Sequence, residues 1–78
     1  MTTSEFLNAH KPADLTWYRI AKLTGLADSG IQRYFKGVNE PSLENFFKLC
    51  FVLNVPAQAI SDYYLANFER LKKIENSL

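Results

Sequence analysis

Apolar residues recur along the chain at three- and four-residue spacing, and turn-forming residues interrupt them at short intervals. The alternation that a half-buried strand requires is weak, so the pattern predicts an all-α protein. The first helix is expected from about Ser4 to His10, with Phe6, Leu7 and His10 on one side, and Lys11-Pro12 ends it. A second is predicted from Trp17 to about Thr24, capped by Thr16 and stopped by Gly25. The third is predicted from about Asp28 to Lys36, with Asp28 capping its first turn and Gly37 ending it. Ser42 caps a fourth from Leu43 to Leu53, which Asn54 and Pro56 terminate. Phe46, Phe47, Leu49 and Leu53 of this helix are expected in the core, with Cys50 as a small packing residue.

Beyond Pro56 a short helix near Ala57–Ser61 leads into a longer one reaching about Glu75, either separate from it or continuous. Ile60, Tyr64, Phe68, Leu71, Ile74 and Leu78 form an apolar stripe there, with Glu69, Arg70, Lys72 and Lys73 between them. The chain thus divides into a compact five-helix domain over residues 1–61 and an added C-terminal amphipathic helix over 62–78. The stripe packs on its own domain or on a second copy. Its size favours a dimer interface of Tyr64, Phe68, Leu71, Ile74 and Leu78.

Composition narrows the class. With 78 residues, 47% hydrophobic and 22% charged, the chain fits one small folded domain and not a disordered or low-complexity segment. No apolar run approaches the roughly 20 residues of a membrane-spanning helix, and Met1-Thr-Thr-Ser-Glu does not read as an export signal. A single Cys and a single His supply neither an internal disulfide nor a structural zinc site. The expectation is a cytoplasmic protein without cofactor or metal. A net charge of +1 does not announce a nucleic-acid ligand. Its distribution is more informative: from Thr16 to Asn39, Arg19, Lys22, Arg33 and Lys36 stand against Asp28 alone, and the rest of the chain is net acidic.

That same stretch has the spacing of two helices joined by a tight turn. Ala21 is small where the next helix crosses, Gly25 supplies the turn, and Leu26, Ile31 and Tyr34 fasten the pair to the core. A helix pushed outward in this way fits a DNA major groove. Leu15-Thr16, Ile20-Ala21, Gly25, Ile31 and Gly37, followed by Pro41-Ser42-Leu43, Leu49-Cys50, Leu53 and Val55, resemble the lambda repressor/Cro-like family of helix-turn-helix domains across roughly residues 4–61. The resemblance implies a five-helix, lambda-repressor-like DNA-binding domain of a phage or bacterial regulator.

It also implies roles. The third helix becomes the recognition helix, with Asp28, Ser29, Gln32 and Arg33 toward base edges. Gln matches adenine and Arg matches guanine through paired hydrogen bonds. Thr16 and Trp17 would meet phosphate at the start of the second helix, and Lys36, Asn39 and Asn45 at the family's other backbone-contacting positions. The chain departs from the family in having Trp17 and Asp28 where Gln or another neutral polar residue is common. It also has Phe35 where a Glu often pairs with a first-helix Arg. His10 lies in that first-helix region, so an apolar or aromatic contact is expected to replace the ion pair.

The resulting reading is a sequence-specific, homodimeric DNA-binding transcriptional regulator acting on a double-stranded operator. The alternative is a protein-interaction module on the same scaffold that no longer binds DNA, which Asp28, the low net charge and the aromatic C-terminal segment favour. No paired carboxylates, phosphate-cradling glycine loop or nucleophile–base set points to an enzyme.

Overall fold

Short-range side-chain signals decide where the helices begin and end. In the computed structural model, which describes residues 1–67, five helices follow one another: α1 (Thr3–His10), α2 (Trp17–Thr24), α3 (Asp28–Lys36), α4 (Leu43–Val52) and α5 (Ala57–Ala66). No strand occurs among the described residues.

Thr2 opens α1 with a reciprocal cap. Its hydroxyl accepts from the Glu5 amide at 3.1 Å, and the Glu5 carboxylate accepts from the Thr2 amide at 2.7 Å. Hydrogen bonding to the Glu5 carboxylate, from the Thr2 amide first and the Thr2 side chain second, holds that carboxyl below its ordinary pKa. Thr16 caps α2 by accepting from the Arg19 amide, and Ser42 caps α4 by accepting from the Asn45 amide. Gly25 and Gly37 end α2 and α3 at φ of 76° and 77°, where a Cβ would be strained. Asn54 takes the same left-handed conformation after α4, at φ 58°. There Val55 donates back to Cys50 at 3.0 Å and Asn54 to Phe51 at 3.2 Å.

The core gathers Phe6 and Leu7 of α1, Ile20 of α2, Ile31 and Phe35 of α3, and Phe46, Leu49 and Cys50 of α4, with Leu53, Val55 and Tyr63. At its centre Phe6 stacks on Tyr63 with ring centroids 4.4 Å apart, and Phe46 lies 5.5 Å from the same ring. The Tyr63 hydroxyl is satisfied by Thr3. Because Thr3 donates onward to Glu40 at 3.0 Å, Tyr63 acts as the donor in that pair.

Several sequence expectations change. α1 begins one residue earlier, at Thr3, and α4 ends one earlier, with Leu53 as its cap. Asp28 is not the cap of α3. Ala27 occupies that position without a side-chain hydrogen bond, and Asp28 lies within the first turn. Phe47 is 45% exposed, not core, because the buried arc of α4 is filled by Phe46, Leu49 and Cys50. Of the two alternatives beyond Pro56, the described residues take the continuous one: α5 runs from Ala57 to Ala66 without a break at residue 61, and Tyr63 in its second half belongs to the core. Tyr64 is half-buried against the core, whereas Phe68, Leu71, Ile74 and Leu78 lie outside the described residues.

Candidate nucleic-acid interface

α2, the three-residue turn Gly25-Leu26-Ala27 and α3 form the helix–turn–helix. Gly25 donates to the Ala21 carbonyl at 2.8 Å, closing α2, and its left-handed backbone redirects the chain. The Thr24 hydroxyl donates to the Ile20 carbonyl at 2.8 Å and accepts from the Leu26 amide at 3.2 Å, pinning the turn. Ile20 and Ile31 are fully buried, while Ala21 and Leu26 are half-buried against the core.

α3 packs on both α1 and α2. Its C-terminal end is tied down with unusual thoroughness. Val38 donates to the Arg33 carbonyl and Gly37 to that of Tyr34. The carbonyl of Phe35, one of the last four that no helix amide can reach, accepts from the Ser4 hydroxyl and from the Asn8 amide, the latter at 2.7 Å. Tyr34 links α3 to α4 by accepting from the Asn45 side chain at 3.3 Å.

With Ile31 and Phe35 turned inward, helical periodicity sends Asp28, Ser29, Arg33 and Lys36 outward, and all four are exposed. Gln32 is half-buried at the edge of this face, and its side-chain amide donates to the Asp28 carboxylate. The four expected base-contacting residues therefore share one face of one helix, two of them joined to each other.

The expected phosphate-contacting residues divide. Thr16 and Trp17 stand at the start of α2, whose first turn holds no acid. The amides of Trp17 and Tyr18 lack intrahelical acceptors there, so the helix end favours an anion. Trp17 is half-buried, edge-on to Phe35 with centroids 4.9 Å apart, so its ring serves packing first. This contact supplies the aromatic replacement expected at Phe35. His10 does not supply it: it packs on Phe6 of its own helix, 4.6 Å between centroids. Lys36 and Asn39 are exposed near the end of α3, whereas Asn45 is half-buried and engaged with Tyr34.

Lys11 is an addition that the sequence pattern does not announce. Its ammonium lies 4.8 Å from the centre of the Trp17 ring, adding positive charge beside the start of α2. Five residues of irregular chain separate the two, so no periodicity signals the contact. The Asp28–Gln32 bond, by contrast, follows an i,i+4 spacing visible in the sequence.

A family model described as helix-turn-helix matches residues 11–60, from the loop before α2 into α5. The chain belongs to this family, of the lambda repressor/Cro-like type. No curated protein and no solved structure matches it significantly. The family is one of DNA-binding domains, and the matched span contains the whole α2–α3 unit and its supports on α4. Among the described residues, no helix of this helix-turn-helix domain is long and apolar enough to cross a membrane.

A second surface is apolar. Phe47, Phe51 and Leu65 are exposed, Phe51 by 84%. Two adjoining recesses share Phe47, Ala57 and Ile60, one continuing to Tyr64 and Leu65, the other to Phe51 and Val55.

Proposed function

We propose that the protein is a sequence-specific transcriptional regulator of the repressor type, acting as a homodimer on double-stranded operator DNA in the cytoplasm. In this reading α3 enters the major groove and offers Ser29, Gln32 and Arg33 to base edges, with Asp28 beside them. Thr16, Trp17, Lys36, Asn39 and Asn45 line the flanking phosphates. The observation that carries the reading is the exposed face of α3, where no carboxylate of the described residues pairs with Arg33 or Lys36, with its C-terminal turn anchored by α1. Charge placement agrees: the acid-free start of α2 suits a phosphate, whereas Asp28 at the start of α3 repels one and leaves that end to bases.

Selection of bound duplexes from a random pool, followed by titration on the selected site, tests the proposal. Arg33→Ala is expected to weaken binding to the selected site and relax preference at one base pair. Lys36→Ala is expected to weaken binding to all sequences and reduce the salt slope by about one. Equal loss on selected and random DNA for Arg33→Ala would falsify the base-reading role.

The rival reading, a protein-interaction module, draws on Asp28, the net charge of +1 and the exposed Phe47 and Phe51. Retention on random duplex at low salt separates the two. A DNA binder is held and then released steeply as salt rises; a module that has lost DNA binding passes through.

A further inference from the structure

We infer that Asp28 is a positioning residue for base reading: its carboxylate orients the Gln32 side-chain amide so that Gln32 presents an acceptor and a donor to adenine. The inference rests on the DNA-reading role of α3 and changes what Asp28 does there. The carboxylate accepts a hydrogen bond from the Gln32 Nε2 across one helical turn. An ionised carboxylate only accepts, so it fixes the Gln32 amide with nitrogen toward Asp28 and Oε1 away. The flipped amide would set Oε1 against the carboxylate.

One Nε2–H is taken by Asp28. The other, together with Oε1, remains for the DNA, and this donor–acceptor pair matches the N7 acceptor and N6 donor of adenine in the major groove. A Gln without such a partner samples both amide orientations and must be ordered on binding, so its preference among bases is weaker. The negative charge has a second consequence. Asp28 is exposed at the first turn of α3, where it opposes phosphate approach and lowers affinity for random sequence. Orientation and repulsion both raise the ratio of specific to non-specific binding. The residue that most weakens a simple DNA-binding reading becomes a source of selectivity.

α5 contains a built-in control. Gln58 donates to Asp62 at 2.8 Å with the same four-residue spacing, away from the α2–α3 unit. Binding of the full chain to its selected duplex, to single-base variants of it and to random duplex is to be measured for wild type, Asp28→Asn, Asp28→Ala, Gln32→Ala, Asp28→Asn/Gln32→Ala and Asp62→Asn. Both Asp28 variants should bind random duplex as well as or better than wild type. They should lose about tenfold in discrimination at one A·T pair, the pair whose preference Gln32→Ala also abolishes. The double variant should lose no more discrimination than Gln32→Ala alone, because Asp28 acts through Gln32. Asp62→Asn should match wild type.

A DNA-free readout accompanies these. The two Gln32 side-chain amide proton resonances should shift in Asp28→Ala and stay in place in Asp62→Asn. A selective wild type whose Asp28 variants keep full discrimination, or lose affinity equally on all duplexes, would overturn this role alone. A wild type that binds no duplex selectively would overturn the DNA reading and this inference with it.

Discussion

At single positions, the same substitution has opposite signs depending on backbone conformation. Gly30 lies within α3, and a Cβ built there meets nothing within 4 Å. Nothing in the fold requires glycine, so Gly30→Ala is expected to stabilise by about 1 kcal/mol and raise Tm by about 4–8 °C in a thermal melt. Gly25 also has open space around a Cβ, but its φ of 76° is left-handed, so Gly25→Ala is expected to destabilise by about 1 kcal/mol or more. A fall in Tm for Gly30→Ala would mean that α3 is not helical through residue 30. Cys50 shows burial acting on chemistry. Desolvation pushes its thiol from an ordinary value near 9 up to about 12. The folded state then retains a proton that the unfolded state releases. The stability linked to Cys50 is intact below about pH 9 and is lost as pH rises toward 12. Denaturant titrations between these limits should show wild type losing stability faster than Cys50→Ala, and native Cys50 should resist alkylation until the chain unfolds.

For whole helices, the contrast between the two ends of α3 governs how firmly a reading surface can be held. Its start has Ala27 where a capping side chain belongs, and its end has Ser4 and Asn8 both donating to Phe35. Ala27→Ser is expected to add about 1 kcal/mol of stability. Ser4→Ala/Asn8→Ala strands the Phe35 carbonyl and should cost about 1–3 kcal/mol, with faster amide exchange confined first to the last turn of α3. Exchange rising equally through all helices would contradict that local role. This contrast also marks what can be read from sequence. Thr16, Gly25, Gly37, Ser42 and Asn54 act on residues within five positions of themselves, so helix boundaries and the outward face of α3 are legible without coordinates. The Ser4 and Asn8 contacts with Phe35 span 31 and 27 residues, and the Trp17–Phe35 contact depends on how α2 and α3 cross, so none leaves a local mark. Phe47 is misjudged for a related reason. Phe46, Phe47, Leu49, Cys50, Phe51 and Val52 spread apolar side chains around α4, so the sequence does not say which arc faces the core.

Across the molecule, the apolar strip on α4 and α5 lies outside the core and outside the helix–turn–helix. Phe51 is 84% accessible and makes little contribution to packing within its own chain. Scattered exposed apolar residues are ordinary, but Phe47, Phe51 and Leu65 adjoin recesses lined by Ala57, Ile60 and Tyr64, which together form a continuous surface. If the protein reads two half-sites as a symmetric dimer, one self-complementary surface must join the copies, and this strip is the apolar candidate among the described residues. Phe51→Glu tests it cleanly. The side chain is exposed, so monomer stability should change by no more than about 0.5 kcal/mol. Sedimentation should show wild type associating with concentration and Phe51→Glu remaining monomeric. On DNA, Phe51→Glu should lose affinity for a palindromic duplex while matching wild type on an isolated half-site, because the reading face of α3 is untouched. A wild type that stays monomeric, or a Phe51→Glu variant that dimerises unchanged, would remove this strip as the joining surface.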